Sequence, residues 1–221
     1  MKERLDEQTM ALRVAREFQD GMVVNLGNGI PSLAVNYVPE GKEIIFHSEN
    51  GCLGFGPVVA SEEEKDFNLI NAASQFVTRQ PGMSFFNSAE SFSMIRGGHI
   101  DMCVLGGLQV SETGDLANWL IPGREPGSMG GAMDLACGVP RIVVVMTHTT
   151  NNNEPKILKK CTYYLTAPHV VNLIVTDIAV IEVTPDGLVL NETAPGWSAA
   201  EIQALTEPKL KIDDNLKQIA F

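Results

Sequence analysis

A chain of 221 residues with 44% hydrophobic composition can bury a sizeable core, and it reads as one large domain over residues 1–221. Its 27 acidic and 16 basic side chains leave a formal net charge of -11, a field that repels polyanions; the longest basic cluster, Lys156-Ile157-Leu158-Lys159-Lys160, is too small a footprint for a nucleic-acid surface. No apolar run approaches membrane-spanning length, and Met1-Lys2-Glu3-Arg4-Leu5-Asp6-Glu7 lacks a signal-peptide core, so a soluble, cytoplasmic protein is expected.

Apolar residues at Met10, Ala11, Val14, Ala15 and Phe18 recur at helical spacing and predict an opening helix that ends at Asp20-Gly21. A strand at Met22–Leu26 then feeds the tight loop Gly27-Asn28-Gly29-Ile30-Pro31. A second strand at Glu43–His47 runs into Ser48-Glu49-Asn50-Gly51, where glycines at 51, 54 and 56 require a sharp turn just after Glu49. Further runs at Met102–Leu105, Ile142–Met146, Asn172–Val175 and Ala179–Val183 are nearly continuous in apolar character rather than alternating. Such runs predict strands covered on both faces. Helices are expected at Ser88–Ile95, Gly131–Cys137 and Ser198–Leu205, and Thr184-Pro185-Asp186-Gly187 predicts a C-terminal hairpin ending in Leu188–Leu190. The fold class is therefore α/β, a mostly parallel β-sheet flanked by helices.

In such sheets ligands bind beyond the carboxyl ends of the strands. Three glycine-rich loops meet that description: Gly27 to Pro31, Asn50 to Pro57, and Gly127 to Met133. None is a dinucleotide or Walker fingerprint, and Gly-x-Ser-x-Gly is absent. Cys52, Cys103, Cys137 and Cys161 form no Cys-x-x-Cys pair and are expected as buried reduced thiols, while His47, His99, His148 and His169 lack metal-like spacing. His148, directly after a strand, is the histidine to watch. Glu49 is awkwardly placed for a structural residue, at a strand end before a glycine turn. From position alone it is equally a solvated loop carboxylate or one accepting local backbone hydrogen bonds.

The run His47-Ser48-Glu49-Asn50-Gly51, followed by Leu53-Gly54 and Gly56-Pro57, resembles the active-site signature of class I coenzyme A transferases. The similarity continues through Asn25–Pro31, Met94–His99, Gly114–Trp119 and Met129–Asp134, to about Val183. It implies the NagB/RpiA/CoA transferase-like fold and a free-standing β subunit of the acetate, butyrate, acetoacetate or 3-oxoadipate type. The partner implied is a CoA transferase α subunit in an α2β2 assembly, with the active site at the α–β interface. Coenzyme A and its thioesters are the implied substrates, with no permanently bound cofactor and no metal. The resemblance makes Glu49 the carboxylate that is acylated and places Gly130 and Gly131 as backbone donors to the oxyanion. Asn25, Gly27, Gly29, Asn50 and Gly51 are assigned to the substrate pocket. Cys52 and Asn28 depart from the family's usual aliphatic or small residues. The rival readings are an acyl-CoA hydrolase or sugar-phosphate isomerase on a related scaffold, and a non-catalytic subunit.

Overall fold

The computed structural model describes residues 2–124 and 127–220. In chain order the strands are β1 Val23–Leu26, β2 Ile45–Ser48, β3 Cys52–Leu53, β4 Ser84–Phe85, β5 Met102–Gly106, β6 Gln109–Ser111, β7 Leu116–Ala117, β8 Ile142–Met146, β9 Ile157–Leu158, β10 Val171–Thr176, β11 Ala179–Thr184, β12 Gly187–Thr193 and β13 Lys211–Gln218. The helices are α1 Glu7–Ala15, α2 Ile30–Leu33, α3 Ser88–Arg96, α4 Ala132–Gly138 and α5 Ala199–Ala204. Ten strands make one sheet in the order β13-β12-β11-β10-β8-β5-β1-β2-β3-β4, and β7-β6-β9 make a second, smaller one.

The five central strands, from β10 through β8, β5 and β1 to β2, are mutually parallel. Successive side chains of a strand point to opposite faces. In β5, Met102 and Val104 enter one core cluster while Cys103 and Leu105 enter the other; β8 divides likewise, with Val143 and Val145 opposite Ile142, Val144 and Met146. Both faces are thus dry, which explains the unbroken apolar runs. One face is covered by α1 through Met10, Ala11, Val14 and Ala15. The other is covered by Ile95 of α3, Leu135 and Ala136 of α4 and Ile202 of α5.

Three local outcomes differ from the sequence expectations. α1 stops at Ala15 rather than running to Asp20, because Glu17 and Phe18 donate back three residues to Val14 and Ala15 at 2.9 and 3.2 Å and tighten the chain out of the helix; Phe18 is still buried beyond its end. The predicted hairpin forms, with Thr184 opposite Gly187, and β12 then extends to Thr193. β13 is not legible in the sequence: Lys-Ile-Asp-Asp-Asn-Leu-Lys-Gln is an exposed, polar edge strand held by pairing with β12 rather than by burial. Of the four cysteines, Cys52 and Cys103 are buried, whereas Cys137 is exposed and Cys161 intermediate; all four are free thiols.

α1 is tied to the sheet through a buried ion pair. Arg13 Nε and Nη2 donate to the two carboxylate oxygens of Glu192 on β12 at 2.8 and 3.1 Å, and Nη1 donates to Glu17 at 2.8 Å. Glu17 in turn accepts from Arg141, just before β8, at 2.6 Å. Arg13 and Glu192 are only 6% exposed each, so removing one partner strands a charge in the interior. Arg13→Met is expected to cost roughly 3–5 kcal/mol in urea unfolding. The double variant Arg13→Met, Glu192→Leu should recover much of that loss. A loss under about 1 kcal/mol for the single variant would mean that the pair behaves as a solvent-screened one.

Candidate active site

From β1 the chain crosses to β2 on one side, then returns through β5 to the other side of β1. The connections therefore diverge between β1 and β5, and a crevice opens at the carboxyl ends of these strands. A cavity of about 310 Å³ lies there. Gly27 and Asn28 reach it from the end of β1, Glu49 from the end of β2, Leu105 and Gly106 from the end of β5, and Ser128 to Ala132 from the approach to α4. Asn118 and Trp119 close the remaining side.

Glu49 is carried by the turn between β2 and β3, in which Ser48 pairs with Cys52. The Gly51 N–H donates to Ser48 O at 3.0 Å, and Gly51 has φ +118°, a conformation that favours glycine. A Cβ at Gly51 would lie 2.0 Å from Phe86 O, while the Gly51 carbonyl accepts from Phe86 N–H at 3.0 Å. Ser48 Oγ accepts from Ala72 N–H at 2.8 Å and Asn50 Nδ2 donates to Ile70 O at 2.7 Å. With the turn pinned on these sides, Glu49 is the turn residue that reaches the cavity.

Asn25, fully buried on β1, lies behind the Glu49 carboxylate. Its Nδ2 has two hydrogens for three acceptors: His47 Nδ1 at 3.0 Å, His47 O at 3.2 Å and Glu49 Oε2 at 3.4 Å. Since Nδ2 only donates, His47 Nδ1 must accept, and His47 Nε2–H donates to Ser91 Oγ at 3.0 Å. The ring is therefore neutral, and burial draws its pKa down to about 4. The Cys103 thiol, 3.6 Å from Asn25 Oδ1, is held protonated: burial, reinforced by the charge of Glu49, pushes its pKa well up.

The predicted site residues separate in space. Gly27, Gly130 and Gly131 line the cavity with Glu49. A Cβ at Gly131 would sit 3.0 Å from the Phe92 ring and 3.6 Å from Glu49 Cγ, so glycine lets the approach to α4 close over the carboxylate stem; Gly130 has φ +51°. Gly27 donates to Val104 O at 2.8 Å, and its α-carbon faces that same strand. Gly29 is instead the N-cap of α2, with φ +78°. Asn50 and Gly51 line a different cavity of about 250 Å³, with Ile70, Phe85 and Phe86. His148 is a core residue: its Nδ1 and Nε2 lie 3.0 and 2.9 Å from the hydroxyls of Thr176 and Thr206. Burial, helped by Arg4 and Lys156 and opposed by Asp177, lowers its pKa to about 4. Among the described residues no cluster of three or more His, Cys, Asp or Glu side chains could hold a metal ion, and no helix is long and apolar enough to cross a membrane.

Residues 7–205 match the family model described as Coenzyme A transferase. The chain belongs to the coenzyme A transferase family. It is 45% identical over 210 residues to the beta chain of the acetate CoA-transferase of Escherichia coli strain K12, covering 95% of both chains. It is also 45% identical over 207 residues to one of the two chains of a probable succinyl-CoA:3-ketoacid coenzyme A transferase of Bacillus subtilis, covering 94% of this chain and 95% of that one. In fold it matches a crystal structure of an acyl-CoA transferase from E. coli O157:H7 in a thioester complex with CoA, with a TM-score of 0.76 at 20% identity, over 100% of this chain and 44% of that longer one.

In this CoA transferase chain the sequence pattern gives Asn28, Asn118, Trp119, Ser128 and Met129 no role of their own, yet all five wall the Glu49 cavity. Trp119 carries a buried indole N–H with no hydrogen-bond partner. His47 is buried, as expected of a structural histidine, but through Asn25 it also fixes the amide that faces Glu49. Its signal in the sequence is adjacency alone, two residues before the candidate nucleophile.

Two measurements test this geometry. His47 and His148 titrate near 6.5 when unfolded but at about 4 when folded. The unfolded chain thus binds more protons between those values, and stability that is complete above pH about 6.5 drains away toward pH about 4. The expected loss is a few kcal/mol in urea unfolding, and an unchanged midpoint from pH about 7 to 4.5 would contradict the neutral rings. Separately, Gly51→Ala should destabilise the chain by about 2 kcal/mol or more and displace Glu49, because the new methyl meets backbone rather than a movable side chain.

Proposed function

We propose that this chain is the β subunit of a two-subunit CoA transferase that moves CoA reversibly between a short-chain acyl group and a second carboxylic acid, with Glu49 as the group acylated. One observation carries the reading: among the described residues, Glu49 is the only ionisable side chain lining the cleft at the carboxyl ends of the parallel strands. The names of the relatives, one chain of a two-chain enzyme for acetate and one for succinyl-CoA and 3-ketoacids, support the two-subunit form and the class of acid.

A carboxylate suits the relay because it needs no general base to expose its lone pair. Glu49 attacks the acyl-CoA carbonyl carbon, the C–S bond breaks, and CoA leaves as thiolate, giving an acyl-glutamyl anhydride. The thiolate then attacks the glutamyl carbonyl of that anhydride, releasing the first acid and leaving a glutamyl-CoA thioester. The acceptor carboxylate attacks this thioester and expels the thiolate. The thiolate attacks the new acyl carbonyl, yielding the product thioester and free Glu49. One thioester is exchanged for another, so no nucleotide hydrolysis is needed.

Each tetrahedral intermediate carries an oxyanion, and the Gly130 and Gly131 amides are the donors proposed to meet it; one such donor is worth about 3 kcal/mol. Asn25 positions the carboxylate from behind. Anhydride and thioester both hydrolyse, so water must be kept from the cleft, a task assigned to an α subunit docked over it.

In the assembled protein, Glu49→Ala is expected to lower transfer by on the order of 10⁴-fold or more, and Glu49→Asp by about 10²-fold because the shorter carboxylate misses its position. Incubation with acyl-CoA followed by hydroxylamine or borohydride should mark Glu49. Near-normal turnover by the alanine variant, or no mark at Glu49, would remove the assignment. Acyl-CoA loss that does not depend on an acceptor acid would point to a hydrolase.

A further inference from the structure

Beside the Glu49 cavity lies a second cavity of about 200 Å³ at the carboxyl ends of β5 and β8. Asn28 and Gly106 line both, so the two are adjoining compartments of one cleft. Ile30, Pro31, Val145 and Met146 make this compartment largely apolar, and among the described residues Lys156 is the one charged side chain in its wall. Glu49 holds the same distinction next door.

Lys156 is fixed at its backbone and at its tip. Its N–H donates to His148 O at 3.1 Å, its carbonyl accepts from Val110 N–H at 3.0 Å, and its Nζ donates to Thr147 Oγ1 at 3.1 Å. The titratable groups that face it are Asp177, already ion-paired to Arg4 at 2.8 Å, and the neutral ring of His148. An ammonium held by a neutral hydroxyl in an apolar compartment has spare donors and a strong preference for an anion. Burial, partly opposed by Asp177, also draws its pKa down to about 8.

We propose that Lys156 binds an anionic oxygen of the substrate other than the carboxylate that reacts at Glu49, and so selects which acids or thioesters the cleft accepts. The inference rests on the transferase reading above. Two sources offer that chemistry: the second carboxylate of a short dicarboxylic acid, or a phosphate of the coenzyme.

The test uses the assembled enzyme, with Lys156→Met removing the charge at similar length and Lys156→Arg keeping it. Steady-state kinetics are measured with a monocarboxylic and a dicarboxylic acceptor and with the CoA thioester of each. Lys156→Met is expected to raise KM for the anion-bearing substrate roughly 10- to 100-fold, more than it lowers kcat, and Lys156→Arg to restore most of that loss. In the unaltered enzyme the same KM should climb as pH passes about 8, where the ammonium deprotonates. The methionine variant should show no such climb, and the arginine variant should stay low. A purely structural lysine would produce neither the pH dependence nor its extension by arginine. A KM effect confined to dicarboxylic partners assigns the second carboxylate; one shared by every CoA thioester but not by the free acids assigns a phosphate; both support the proposal. Unchanged KM in Lys156→Met, with an acyl adduct trapped at Glu49, overturns the lysine inference alone. Failure to trap any adduct at Glu49 in the unaltered enzyme overturns the transferase reading and this inference with it.

Discussion

The central parallel strands are buried on both faces, and that constraint governs where chemistry can occur. A polar side chain within such strands has no route to water, so each must be satisfied inside the protein. Asn25 sits in this position on β1, and its amide is engaged on both atoms, by His47 and Glu49 at Nδ2 and by Cys103 at Oδ1. The strand ends, by contrast, release loops whose backbone and side chains can face a ligand. Glu49 stands at this boundary, the first residue beyond β2, with its stem against glycine and its carboxylate against Asn25.

The electrostatics of the cleft follow from the same division. Burial keeps His47 neutral and Cys103 protonated, so neither competes with Glu49 as a charge or a nucleophile. The cleft presents one carboxylate in one compartment and one ammonium in the next. For an acidic chain of net charge -11 this local cation matters, because the summed field otherwise opposes anionic substrates. Precise placement of these groups depends on backbone fits as tight as Gly51 against Phe86.

Much of this architecture is legible in the residues. The apolar run Ile142–Met146 has the same bounds as the strand it forms, and α3, α4 and α5 lie within a residue or two of their expected limits. The Thr184 to Gly187 turn is legible because proline, aspartate and glycine constrain the backbone locally. β13 and the two-residue strands β3, β4, β7 and β9 are not, since short or exposed strands exist through pairing with a neighbour and carry little apolar pattern of their own.

Local backbone chemistry, written in glycine positions and apolar periodicity, determined by itself that the chain is a doubly covered parallel sheet with a sharp turn after Glu49. The motif around that turn also named the family. Only the tertiary structure decided which loop residues share a cavity. Asn50 and Gly51, adjacent to Glu49 in sequence, face a different cavity, while Trp119 and Gly131, distant in sequence, face the same one. The order of β2, β1 and β5 across the sheet makes that choice, and strand order is a non-local property set by how the helices cover the two faces.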